Sequence, residues 1–244
     1  MRIPLSCLGA REMGLITALA GLPALACLIA AAKGYTWCWP VGVVLALVWF
    51  GGLLFFRDPQ RRTPTEPGLF VAAADGRVTE TVTIENDPRV GGPATRLSVF
   101  LSVFNVHVNR SPCSGVVRSV EYQPGRFLDA RDPKCGVLNE ANTIVIEPTE
   151  PPGIGKVVVR QIAGKIARRI VCTVKPGDRV QRGQRIGLIK FGSRTELIIA
   201  GRGTCEPQVK VGDKTRGAVT VMARSTAAAS QAPRAKAAAA EVST

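Results

Sequence analysis

At 244 residues the chain has room for one domain of ordinary size and a separate anchoring segment. Its formal charge of +14 calls for anionic partners, but aromatic residues make up only 5% and the basic residues are dispersed, which favours lipid headgroups over nucleic acid. One histidine and seven cysteines, at 7, 27, 38, 113, 135, 172 and 205 with no CxxC spacing, exclude an ordinary zinc site and read as reduced packing residues.

The first elements are two apolar runs of 20 residues, Met13 to Ala32 and Trp37 to Phe56, interrupted only by Lys33 to Thr36. Each is long enough to cross a bilayer. Arg2 and Arg11 precede the first run and Arg57, Arg61 and Arg62 follow the second, so the positive-inside rule puts both ends in the cytoplasm. Residues 1–56 are therefore expected to form a helical hairpin, either transmembrane or re-entrant, with Pro23 and Pro40 as candidate kinks. A cleaved signal peptide would account for the first run alone, and the second run directly behind it argues against that reading.

From Arg57 to Ala223 short β-branched runs alternate with Gly, Pro, Asn and Asp, which predicts a mainly β domain with a sandwich or barrel-like form. Strands are expected at Arg77-Ile84, Thr95-Val103, Gly115-Tyr122, Thr143-Glu147, Lys156-Ile162 and Ala167-Thr173, and a short helix or a loop at Asn105 to Val108. The Ala-rich tail, 224–244, reads as a disordered extension. Two segments repeat: Val174-Lys175-Pro176-Gly177-Asp178-Arg179-Val180-Gln181-Arg182-Gly183, and Val209-Lys210-Val211-Gly212-Asp213-Lys214-Thr215-Arg216-Gly217, one residue shorter. Each resembles the half-motif of lipoyl and biotinyl carrier domains, whose modified lysine sits on the hairpin between the halves. Here the corresponding connection carries Phe191-Gly192-Ser193, expected at an exposed turn.

A serine hydroxyl can attack the carbonyl of a preceding glycine, because glycine leaves the approach open and tolerates strained backbone. A Gly-Ser step alone is an ordinary turn, Asp75-Gly76 alone is another, and His107 between Val106 and Val108 taken alone is a packed residue. Their combination with other blocks changes that. The sequence runs Phe56-Arg57-Asp58-Pro59-Gln60-Arg61, Ala74-Asp75-Gly76-Arg77-Val78, Phe104-Asn105-Val106-His107-Val108-Asn109-Arg110-Ser111-Pro112, Asn139-Glu140-Ala141-Asn142, Gln161-Ile162-Ala163-Gly164, Ala167-Arg168-Arg169-Ile170 and Gly192-Ser193. In this order and spacing the chain resembles the phosphatidylserine decarboxylases, in their short membrane-anchored form, over roughly Phe55 to Ala223.

The resemblance implies a self-processing enzyme cleaved between Gly192 and Ser193. Ser193 Oγ attacks the Gly192 carbonyl to give an ester, which eliminates to dehydroalanine and hydrolyses with loss of ammonia, leaving a covalent pyruvoyl cofactor at residue 193. It further implies that phosphatidylserine in the membrane condenses with this group as a Schiff base and loses carbon dioxide to become phosphatidylethanolamine. His107 is the expected base and Asp75 the group that fixes its tautomer, with Ser193 completing the catalytic set. Longer relatives carry a second histidine three residues after the first, where this chain has Arg110. His107 then serves both cleavage and protonation, or Asn109 and Arg110 assist, or Arg110 grips the lipid phosphate.

The partners implied are phosphatidylserine and the two cleavage chains, 1–192 with 193–244, as a heterodimer open to higher assembly, at the inner cell membrane with residues 57–223 on the cytoplasmic side. No nucleic acid and no metal are expected. A noncatalytic membrane-tethered adaptor with a carrier-like β-sandwich would explain the repeat and anchor and leave Asp75, His107 and Gly192-Ser193 unexplained. An anchored metallopeptidase lacks its histidines.

Overall fold

The computed structural model describes residues 4–150, 154–165, 169–190 and 192–226. The chain separates into two compact units, Met1–Gln60 and Arg61–Thr244.

In the first unit the apolar runs are helical. A 3-10 turn at Cys7–Gly9 leads into α1 (Ala10–Ile16), a π-helical stretch at Thr17–Gly21 and α2 (Leu22–Ala32), and α3 spans Cys38–Phe55. The first helical run thus starts earlier than its hydropathy predicts and takes in Arg11 and Glu12. The two segments of 26 and 18 residues are long and apolar enough to cross a membrane; at 1.5 Å per residue they measure about 39 and 27 Å against a hydrocarbon core of about 30 Å. Pro40 falls in the first turn of α3, where a missing N–H is no loss, whereas Pro23 lies inside the continuous first helix, directly after the π-helical stretch in which the Leu22 N–H reaches back to the Thr17 carbonyl. Glycines let the helices approach: a Cβ on Gly21 would stand 2.9 Å from the Trp49 indole, and on Gly42 or Gly52 3.0 Å from Leu28 or Ile16. The ends of the hairpin are tied by the Ser6 N–H to the Phe56 carbonyl (2.8 Å) and the Asp58 N–H to the Pro4 carbonyl (2.7 Å).

The second unit is built of fourteen described strands. β1 (Leu69–Val71), β2 (Gly76–Asp87), β3 (Gly92–Leu101), β4 (Val108–Arg110), β5 (Gly115–Gln123), β6 (Ala141–Pro148) and β7 (Val157–Ala163) come first. β8 (Arg169–Cys172), β9 (Arg179–Val180), β10 (Arg185–Lys190), β11 (Ser193–Ala200), β12 (Cys205–Pro207), β13 (Lys214–Thr215) and β14 (Val221–Ser225) follow. Five of the expected strands are present with shifted ends; the sixth survives as β8, its first two residues lying outside the described ones. No helix forms at Asn105 to Val108. The Asn105 side-chain oxygen takes the Ser102 N–H (2.9 Å) and hydroxyl (2.8 Å), closing a turn in competition with helix.

The main sheet is antiparallel, in the order β13-β2-β3-β11-β7-β6-β5-β9, with β4-β10-β8 and β1-β14-β12 as separate sheets. The alternation of β11 sends Leu197 and Ile199 into the core with Leu97, Val99, Ile144, Ile146, Val157 and Val159, while Ile198 joins Ala94, Val145 and Val158 on the other face. Each such side chain contributes about 1.5–3 kcal/mol on burial.

The sequence repeat is a repeat of hydrogen bonds. The Gly177 N–H donates to Val117 and the Gly212 N–H to Val78, each at 2.8 Å, and Val117 and Val78 donate back to Asp178 and Asp213 at 2.9 Å. Gly177 and Gly212 share a left-handed φ of 92° and 98°. Six residues further on, Gly183 (φ 82°) answers to Ala218 (φ 64°), whose N–H groups donate to Ser111 and Ala72. The second copy is therefore full length, with alanine taking the position of the last glycine. Gly76 and Gly115 correspond as well: a Cβ would meet the Phe100 carbonyl oxygen at 2.1 Å in one and the Glu147 carbonyl oxygen at 2.3 Å in the other. The order of the main sheet mirrors about the β11–β7 junction, and Ser193 lies at that junction.

Candidate active site

Ser193 opens β11 and pairs with Leu101 of β3 and Ala163 of β7, so its backbone is clamped on both sides. Ser193 itself is not at an exposed turn, and Phe191 lies outside the described residues. β10 and β11 belong to different sheets, and Ser193 is wholly buried because its strand starts inside the main sheet. Its hydroxyl has no hydrogen-bond partner among the described residues, an expensive state for a buried polar atom. The following residue, Arg194, faces the other side of the sheet and bonds Glu80 (2.6 Å) and Ser98 (2.9 Å).

Gly192 has φ 62°, and its carbonyl lies against Gly164 so closely that a Cβ there would stand 2.4 Å from the carbonyl oxygen and 3.1 Å from the carbonyl carbon. Gly164 follows β7 directly. Its lack of a side chain is what lets the Gly192 carbonyl occupy this position.

His107 comes to the same place through β4, whose Val108 and Asn109 pair with Leu188 and Gly187 of β10. The imidazole is fully buried. Its Nδ1 lies 2.9 Å from the Asn105 carbonyl, which can only accept, so the proton is on Nδ1. Nε2 then presents its lone pair and receives the Gly192 N–H at 3.2 Å. Both contacts specify the same neutral tautomer. Asn105, held by its turn with Ser102, was quoted in the sequence motif without a role; the signal for it is the Ser-x-x-Asn spacing of an Asx-type turn.

The Asp75 carboxylate is engaged by other groups. Its carboxylate forms a two-pronged ion pair with Arg61, one arm at 2.8 Å, and accepts the Gly217 N–H at 2.7 Å. In the repeat it corresponds to Ser114, whose hydroxyl accepts the Arg182 N–H at 3.1 Å. It is the Asn105 carbonyl that receives the Nδ1 proton.

Asn109 and Arg110 are buried. Asn109 belongs to a chain in which the Asn142 amide donates to Gln161 (3.0 Å), Gln161 to Asn109 (2.8 Å) and Asn109 to the Thr195 hydroxyl (3.2 Å). This network braces β11 two residues past Ser193. The Arg110 guanidinium donates to the Gly183 carbonyl at 3.1 Å, inside one of the repeated turns. Asn139 holds the segment before it by exchanging bonds with Leu128 at 2.9 Å each and by donating to the Ala163 carbonyl at 2.7 Å.

A cavity of about 310 Å³ reaches Gly192 between Phe100, Val103, Ala130, Arg131 and Lys165. No group of three or more metal-ligating side chains occurs among the described residues. Burial pushes the Cys113 thiol up to about 12 and raises Cys135 and Cys205 as well, which disfavours these three as nucleophiles.

A buried serine with an unpartnered hydroxyl, a glycine carbonyl packed on a second glycine, and the Nε2 lone pair of a buried imidazole meet at this point. The comparisons with known proteins agree with a specific family. The phosphatidylserine decarboxylase profile matches residues 52–223. The phosphatidylserine decarboxylase proenzyme of Nitratidesulfovibrio vulgaris is 46% identical over 188 residues, 77% of this chain and 83% of the relative. Those of Ralstonia pickettii and Burkholderia cenocepacia are 39% identical over 205 residues and 41% over 215, covering 84% and 88% of this chain and 91% and 94% of theirs. The chain belongs to the phosphatidylserine decarboxylase family and is an enzyme of that type.

Proposed function

We propose that the chain cleaves itself between Gly192 and Ser193 and that the mature enzyme converts phosphatidylserine to phosphatidylethanolamine and carbon dioxide. The observation that carries this reading is the Gly192 carbonyl packed on Gly164, one bond from a buried serine whose hydroxyl is unpartnered and beside the His107 Nε2 lone pair. To take the Ser193 hydroxyl proton the imidazole has to release the Gly192 N–H that it accepts at 3.2 Å. The Asn105 carbonyl stabilises the imidazolium that results, the role a carboxylate has in a serine triad. Asp75 acts through position: with Arg61 and the Gly217 N–H it secures the turn facing β2.

The orphaned hydroxyl and the side-chain-free surface of Gly164 fit a group formed from Ser193 itself. A pyruvoyl carbonyl at residue 193 supplies the electron sink for loss of carbon dioxide. His107 holds the proton to be returned to the substrate carbon. The cleaved chains, 1–192 and 193–244, stay together because β11 remains paired with β3 and β7 on both sides.

Residues 1–56 serve as the membrane anchor and 57–223 as the decarboxylase domain, which Arg224 and Ser225 extend by completing β14, while 227–244 of the expected tail lie outside the described residues; the apolar helices and flanking arginines support an inner-membrane enzyme with its domain on the cytoplasmic side. Intact mass spectrometry tests the proposal. Wild-type protein is expected as chains of 192 and 52 residues, the smaller with a blocked N-terminus, and Ser193→Ala as a single chain. An uncleaved, active wild-type chain overturns it.

A further inference from the structure

The inference rests on the reading above and deepens it by assigning the lipid headgroup to named side chains. In phosphatidylserine the phosphorus is four bonds from the amine, about 5 Å in an extended chain. A substrate whose amine reaches residue 193 therefore keeps its phosphate inside the same cavity, and the cation that binds it has to line that cavity. Arg110, the sequence candidate, is buried and donates to Gly183, and it is not among the residues lining the Gly192 cavity.

The described cations that do line it are Arg131 and Lys165. Asp129 stands between them. It takes two bonds from Arg131, at 3.0 and 2.7 Å, and feels the charge of Lys165. The guanidinium is held a second time by the face of Phe100, 5.9 Å from the ring centre. Arg131 nevertheless keeps its side chain 71% exposed, so it is oriented without being used up. It also forms part of the wall of two neighbouring cavities, of about 590 and 430 Å³, which places it where the site opens outward.

We propose that Arg131 and Lys165 bind the phosphodiester of the substrate headgroup, with Asp129 as a positioning residue for Arg131. After cleavage Gly192, which also lines this cavity, ends in a carboxylate, so with Asp129 the two cations are balanced and the phosphodiester is held by directed hydrogen bonds from Arg131 and Lys165 rather than by excess charge. The remaining walls, Phe100, Ser102, Val103, Ala130 and Gly192, add no further cation for the substrate carboxylate, which suits a group that leaves as neutral carbon dioxide.

The test uses the full-length matured enzyme and glycerophosphoserine, a soluble probe that removes any general attraction to anionic membranes. Arg131→Ala and Lys165→Ala are expected to cleave into the two chains as wild type does and to raise KM about 10- to 100-fold each, with kcat little changed. Arg131→Lys should recover most of the loss, and Asp129→Asn should give a smaller rise in KM. An unchanged KM in both alanine variants, or a loss confined to kcat, overturns the assignment. Absence of cleavage in the wild type, or of turnover with phosphatidylserine vesicles, would instead overturn the decarboxylase reading.

Discussion

Gly164→Ala isolates the geometry of the scissile bond without touching a reacting group. The added Cβ would lie 2.4 Å from the Gly192 carbonyl oxygen, 3.1 Å from its carbon and 3.2 Å from the Ala130 Cβ. An ordinary carbon-oxygen contact needs roughly 0.8 Å more, and the backbone has to supply that displacement because none of the three neighbours is the end of a flexible side chain. Overpacking of this size costs about 1–3 kcal/mol, which a domain of this size survives. The same shift moves the carbonyl away from the Ser193 hydroxyl, and misplacement of about 1 Å slows a positioned reaction about 100-fold. The expected result is a folded precursor that accumulates, read as the ratio of intact chain to the 192- and 52-residue products over time. Gly92→Ala is the control, since no atom lies within 4 Å of its added Cβ. A folded Gly164→Ala protein that matures at the wild-type rate would refute the reasoning.

Further outcomes follow from other parts of the domain. Asp75→Asn leaves Arg61 buried without its counter-ion and should destabilise the protein by about 3–5 kcal/mol in urea unfolding; lost cleavage at unchanged stability would instead assign Asp75 to the chemistry. Burial alone would raise Glu80 and Asp87, but hydrogen bonds and charge from Arg96 and Arg89 outweigh it and hold both below their ordinary 4.5 and 3.8. Hydrogen bonds from Arg131 likewise hold Asp129 down to about 2. The stability these groups contribute is present above about pH 4.5 and is lost as pH falls toward about 2, so the melting temperature should drop across that window and drop less in Glu80→Gln. With its thiol pushed up to about 12 by burial, Cys113 should resist iodoacetamide at pH 8 until the protein unfolds.

The apolar runs, the mainly β character, the glycine-aspartate repeat and the Gly192-Ser193 step were legible from local chemistry, because turn conformation and strand alternation depend on near neighbours along the chain. Asp75 and Arg110 were legible as residues, whereas the partners they take in the fold were not. Their partners, Arg61, Gly217 and Gly183, lie 14, 142 and 73 residues away. Asn105 was overlooked because it acts through its backbone carbonyl, a group every residue has. Gly164 was overlooked as a shaping element because its importance comes from what approaches it, a carbonyl 28 residues further on.

The sequence by itself determined that a serine able to attack its neighbouring carbonyl follows a glycine in a β domain behind an apolar hairpin. Only the tertiary structure decided that this serine is buried with its hydroxyl unused, that His107 is neutral with Nε2 turned toward Gly192, and that Arg131 and Lys165 line the approach. Bond-forming potential resides in residue type, whereas proton position, burial and the charge around a cavity are set by strands that meet from distant parts of the chain.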